Sequence, residues 1–131
     1  MVDLATIYVV DDDESVRDSI GILLSSHGMD ARIYSSARDF LDENSAARTG
    51  CLVADLHMPE MTGLDLLEHI RKYGPYLPVI VMTGRGDPQL RERAERAGAF
   101  GFLEKPLDGA VLMQTIRAAL DTGAAPKLRE T

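Results

Sequence analysis

Residues 6–13 read TIYVVDDD, five β-branched or aromatic residues that stop abruptly at three aspartates. So short and apolar a run fits a strand buried on both faces, and the charges that end it mark the rim of a sheet. A helix should follow, because Val16, Ile20, Leu23 and Leu24 fall on one helical face and Gly28 stands where a left-handed cap would close it.

The same unit recurs along the chain. Residues 29–34 form a weaker strand, placed at a sheet edge by Asp30 and Arg32. Ser36 with Asp39 then makes a capping-box-like start to a short helix with Phe40 and Leu41 inward. Residues 51–54 are a strand ending at Asp55, and Leu64, Leu67 and Ile70 stripe a helix that runs to about Tyr73 and closes at Gly74. Residues 78–82 are the next strand, followed by Asp87 and Pro88 as cap and first turn of a helix ending near Gly98. Residues 100–103 are the last strand, and Asp108 caps a final helix with Val111, Leu112, Ile116, Ala119 and Leu120 inward. Strands alternating with helices over short connections imply an α/β fold, with a mainly parallel five-stranded sheet, helices on both faces and right-handed crossovers. Residues 121–131 lose all periodicity and read as a tail or the start of a linker.

The 131 residues, 45% hydrophobic and 27% charged, suit one domain with a real core. With 21 acidic against 14 basic residues the net charge is -7, which argues against a nucleic-acid surface. A single cysteine, Cys51, permits no internal disulfide, lacks partners at metal-binding spacing and reads as a small buried hydrophobe, so the cytoplasm is the expected compartment. No apolar stretch approaches the ~20 residues of a membrane span, and the N-terminus lacks a signal-peptide layout.

In open α/β sheets ligands bind outside the carboxyl ends of the strands. Here those ends carry Asp11, Asp12 and Asp13, then Asp55, Thr83 and Lys105 followed by Pro106. Gathered carboxylates repel one another and are relieved by protonation or by a divalent cation with oxygen ligands, of which Mg²⁺ is the expected one. With that charge neutralised, a phosphoryl group can pass to a carboxylate while an ammonium and a hydroxyl hold its oxygens. Taken singly, Asp12, Asp13 and Asp55 are ordinary helix caps, Thr83 a turn residue and Lys105 a surface charge. Their convergence on one rim favours chemistry.

The segments VVDDDESVR, VADLHMPEMTGLDLL, VIVMTGRGD and FLEKP, in this order, resemble the receiver domain of two-component response regulators over roughly residues 4–120. TGRGD and DLHMPEMTG are most similar to receivers of FixJ-type transcription regulators. The resemblance implies a receiver over residues 1–120 with a flavodoxin-like doubly wound sheet in strand order 2-1-3-4-5. It implies that Asp55 is the phosphoacceptor, charged by the phosphohistidine of a sensor histidine kinase. It also implies that Asp11 and Asp12 are the acidic pair, a register that the spacing to Val16 and Arg17 favours, with Asp12 as the direct Mg²⁺ ligand, Asp11 acting largely through water and His57 adding its backbone carbonyl. Thr83 matches the hydroxyl that follows the phosphoryl group, Gly84 the small residue beside it, and Lys105 the phosphate-binding lysine before a cis bond to Pro106. Phe102 matches the aromatic switch position, although plain core is an equal alternative for it.

The implied protein is a signalling switch rather than a turnover enzyme. Its surface formed by the fourth helix, fifth strand and fifth helix would be remodelled, as a homodimer or output contact. A stand-alone aspartyl-phosphate phosphatase would need Asp-x-Asp, and Asp55-Leu56-His57 lacks the second acid. A docking module without the switch would not need Asp12, Asp55, Thr83 and Lys105 together. His57 and Arg85 are expected to border the attacking water, His27 and His69 to be solvated, and Arg91, Arg93 and Arg96 with Glu92 and Glu95 to form an exposed charged helix face. Whether the receiver stands alone or belongs to a longer transcription factor is left open, the FixJ-like motifs favouring the second.

Overall fold

The computed structural model describes residues 5–47 and 49–123. Along the chain it contains β1 (Thr6–Val10), α1 (Glu14–Ser26), β2 (Asp30–Tyr34), α2 (Ala37–Asn44), β3 (Cys51–Asp55), α3 (Gly63–Tyr73), β4 (Val79–Thr83), α4 (Pro88–Arg96), β5 (Gly101–Glu104) and α5 (Gly109–Gly123). The strands form one parallel sheet in the order β2-β1-β3-β4-β5. This is the expected doubly wound α/β architecture, with the weak strand β2 at an edge.

Runs that look uniformly apolar are divided by their period of two. Ile7, Val9, Cys51, Val53, Ile80 and Met82 pack with Ile20, Leu24, Leu112 and Ile116 on the α1 and α5 side. Tyr8, Val10, Leu52, Ala54, Val79 and Val81 pack with Phe40, Leu67, Ile70 and Ala94 on the side of α2, α3 and α4. Both faces of the central strands are therefore closed to water, and their carboxyl ends are where polar side chains can emerge.

Local chemistry sets the helix starts. Asp13 accepts from the Ser15 and Val16 amides, Ser36 from Asp39, Asp87 from Gln89 and Leu90, and Asp108 from Ala110 and Val111. Thr62 and Asp65 form a reciprocal capping box at α3, a start signal that the sequence reading passed over. Gly28 and Gly74 close α1 and α3 with φ of 73° and 86°.

The expectation for the last helix needs correction. Val111 is 42% exposed, and Met113 takes the inward position beside Leu112, Ile116 and Ala119. Thr115 bonds back to the Val111 carbonyl, so positions 111 and 115 share the outer face. α5 also continues to Gly123, past the expected start of the tail at 121, and residues 124–131 lie outside the described residues. β5 begins one residue later than expected, leaving Phe100 outside it and 39% exposed. His27 is exposed as expected, whereas His69 is half-buried with its ring 4.9 Å from that of Tyr73. On α4 the charges pair along the exposed face, Arg91 with Glu95 and Arg96 with Glu92.

Candidate functional site: a carboxylate cluster at the strand ends

Asp11 follows β1 directly and is fully buried. Its amide is tied to the Tyr34 carbonyl of the neighbouring strand, and Arg17 donates to its carbonyl at 2.8 Å. One carboxylate oxygen accepts from the Asp13 amide at 2.9 Å and the other from Lys105 Nζ at 2.9 Å. Asp55, the last residue of β3, accepts from the His57 amide at 3.2 Å and faces the same ammonium at 3.4 Å. Asp12 is exposed at the mouth. One oxygen from each of Asp11, Asp12 and Asp55 lies within 4.8 Å of the others.

The backbone fixes this convergence. The Lys105 amide donates to the Thr83 carbonyl at 2.8 Å, which sets the end of β5 against the end of β4 and aims the ammonium at the carboxylates. Lys105–Pro106 is cis, as expected. Gly63 lies so close beneath Asp55 that a Cβ there would run into the Asp55 carbonyl.

Burial first, and the charge of Asp11 second, push the Asp55 carboxyl above its ordinary value. Partial burial works against the Lys105 ammonium, yet the hydrogen bond and charge of Asp11 and the charge of Asp55 together hold its pKa above that of a free lysine. Bonds from Ser15 hold Asp13 low, and its carboxylate is used as the α1 cap. One ammonium among three clustered carboxylates leaves the site short of positive charge. The donor set is entirely hard oxygen, with an exposed ligand at its mouth, and so fits a small divalent cation that keeps part of its water shell.

Thr83 ends β4 fully buried. Its hydroxyl donates to the Arg85 carbonyl at 2.9 Å, accepts from the Arg85 amide at 3.0 Å, and lies 2.9 Å from His57 Nε2. A Cβ on the exposed Gly84 would meet nothing within 4 Å. Phe102 pairs in register with Val81, so its side chain shares the sheet face that Thr83 occupies two residues later. Its half-buried ring packs against the α2–α4 side of the core, with the Arg91 guanidinium 5.1 Å from its centroid. The structure thus gathers Asp11, Asp12, Asp55 and Lys105 directly, links Thr83 to the group through Lys105 and His57, and sets Phe102 on the adjoining face. The side-chain contact of His57, the Arg17 bond and the Arg91 clasp escaped the sequence reading. No periodicity signals them.

The response regulator receiver domain family matches residues 7–117. The transcriptional regulatory protein FixJ of Azorhizobium caulinodans is 42% identical over 118 residues, covering 90% of this chain and 56% of that protein. The transcriptional regulatory protein TdiR of Thauera aromatica is 41% identical over 116 residues, covering 88% of this chain and 51% of that protein. The crystal structure of FixJ-N superimposes with a TM-score of 0.82 at 38% identity, over 92% of this chain and 96% of that one. The chain spans about half the length of the curated relatives it matches.

Proposed function

We propose, for a chain that belongs to the family of response regulator receiver domains, that it is a phosphorylation-controlled switch whose phosphoacceptor is Asp55. The observation that carries this reading is the buried carboxylate itself. It stands at a strand end against Asp11, with Lys105 Nζ 3.4 Å away and the Thr83 hydroxyl on the next strand.

In the transfer, an Asp55 oxygen attacks the phosphorus of a phosphohistidine on a sensor histidine kinase. The P–O bond forms as the P–N bond breaks, and the electron pair leaves on the imidazole nitrogen. Asp12, Asp55 and the His57 carbonyl, with Asp11 largely through water, would hold a Mg²⁺ ion, which would supply charge neutralisation at the phosphoryl oxygens. Lys105 releases its carboxylates to pair with one phosphoryl oxygen, and the Thr83 hydroxyl turns to donate to another. The movement of Thr83 frees space on the face it shares with Phe102, which turns inward and remodels the surface of α4, β5 and α5. A phosphoryl group shifts this equilibrium only by its differential contacts in the two states, typically a few kcal/mol.

The receiver unit runs through α5 to Gly123, rather than ending at residue 120, and works in the cytoplasm. Its remodelled surface serves a homodimer or an output domain, the latter regulating transcription as FixJ and TdiR, transcriptional regulatory proteins by name, do. Among the described residues no helix is long and apolar enough to cross a membrane. Incubation with Mg²⁺ and acetyl phosphate, followed by intact mass, tests the assignment. One added phosphoryl group is expected on the wild type and none on Asp55→Asn; an unmodified wild type, or a modified variant, overturns it.

A further inference from the structure

His57 has an exposed ring two residues beyond Asp55, yet its Nε2 lies 2.9 Å from the fully buried Thr83 hydroxyl, 26 positions away in sequence. That hydroxyl already has two backbone partners, the carbonyl and the amide of Arg85. A threonine hydroxyl has one proton and two acceptor lone pairs. With the proton on the Arg85 carbonyl and one lone pair toward the Arg85 amide, the remaining lone pair faces His57, whose Nε2–H donates. The single proton of the hydroxyl is then committed to the Arg85 carbonyl, so donation to a phosphoryl oxygen on Asp55 requires the hydroxyl to turn away from its resting partners, the His57 donor among them.

We propose that the His57 side chain is a positioning residue for Thr83, holding its hydroxyl in the resting orientation so that phosphoryl capture at Asp55 must break the His57–Thr83 bond. The proposal rests on the reading of Asp55 as phosphoacceptor and Thr83 as its hydroxyl donor. Loss of the imidazole weakens the resting state alone, so a phosphoryl mimic binds more tightly. The His57 amide, which donates to Asp55, is kept by any side-chain replacement. A ring that acted only as a cover over the site would behave differently, because phenylalanine preserves the cover and removes the donor.

Titrating the full chain with beryllofluoride in the presence of Mg²⁺, followed by ¹H–¹⁵N NMR, separates these possibilities. His57→Ala and His57→Phe are both expected to lower the half-saturating concentration about threefold to tenfold, the size of one ordinary hydrogen bond. The gain should vanish in a Thr83→Ala background. The proposal is overturned by variants that bind no more tightly than the wild type, by His57→Phe matching the wild type while His57→Ala binds more tightly, or by a gain that survives in Thr83→Ala. A wild type that binds no beryllofluoride overturns the functional reading and the positioning role with it, whereas normal wild-type binding with unaffected variants overturns the positioning role alone. In the unliganded protein, Thr83→Ala is expected to shift the His57 ring nitrogen resonances at constant pH; unshifted resonances overturn the bond itself.

Discussion

Replacing Lys105 by methionine keeps most of the unbranched side chain and removes its charge, and two distances set the consequence. Nζ stands 2.9 Å from Asp11 Oδ2 and 3.4 Å from Asp55 Oδ2, with the Asp11 side chain fully buried and that of Lys105 21% exposed. At an effective dielectric of about 20, each separation corresponds to roughly 5–6 kcal/mol of gross attraction. Desolvation offsets most of this, and removing one partner of a fully buried pair costs about 3–5 kcal/mol net. The partial exposure of the ammonium, and the freedom of Asp55 to take up a proton, reduce the expected loss to about 2–3 kcal/mol. For a domain of this length that lowers Tm by about 8–12 °C. The assay is thermal unfolding by far-UV circular dichroism in EDTA at neutral pH, on the wild type, Lys105→Met, Asp55→Asn and the double variant. Asp55→Asn removes a carboxylate that burial already disfavours and should raise Tm by itself. In the double variant Asp11 no longer faces a like charge, so at least half of the Lys105→Met loss should be recovered. A Lys105→Met Tm within about 2 °C of the wild type, or a double variant as unstable as the single one, would refute the claim that this ammonium lets Asp11 and Asp55 share one rim.

Four further outcomes are expected. Because burial and Asp11 raise the Asp55 pKa above 3.8 in the folded state, its stabilising contribution is full below that value and lost as pH rises through the raised one. The stability advantage of Asp55→Asn in EDTA should therefore widen with pH across that window, and parallel urea-midpoint profiles would contradict it. Gly63→Ala drives a Cβ into the Asp55 carbonyl and Leu56 and should cost about 1–3 kcal/mol by urea unfolding; an unchanged midpoint counts against the close approach. Asp13→Ala removes the α1 cap at about 1 kcal/mol, with Mg²⁺ affinity by calorimetry unchanged; a large loss of affinity would make Asp13 a ligand. Cys51 is fully buried with its thiol pushed up to about 12, so a disulfide exchange reagent should label it only on unfolding, and rapid native labelling would exclude that burial.

The rim of the site is legible because the central strands are buried on both faces. In such strands the first charged or hydroxylated residue after the apolar run marks the strand end, and Asp11, Asp55 and Thr83 are found there, whereas Lys105 follows Glu104 just past the partly exposed edge strand β5. Helix phase is less secure where apolar residues are consecutive. Val111, Leu112 and Met113 offer two phases, and only packing of Met113 and Ile116 against the sheet turns Val111 outward. Identical neighbours are harder still. Three aspartates in a row have the same propensities, yet one is buried against Lys105, one is exposed at the mouth and one caps α1. Their division of labour comes from where the chain leaves β1 and enters α1.

The contacts at Thr83 and Phe102, the proposed switch positions, are the least legible because they join residues distant in sequence through side-chain orientation alone. His57 reaches Thr83 from the loop after β3, and Arg91 reaches Phe102 from α4. Strand register supplies the link between them, since Val81 pairs with Phe102 and Thr83 lies two residues on along the same face. A cation over an accessible aromatic ring is worth about 0.5–1 kcal/mol, and a single neutral hydrogen bond contributes about 1 kcal/mol net. Each restraint is thus smaller than the few kcal/mol through which a phosphoryl group can favour one state. A resting state held by several such weak contacts, on a sheet whose own core is closed on both sides, can be displaced at the rim while the fold beneath it stays intact.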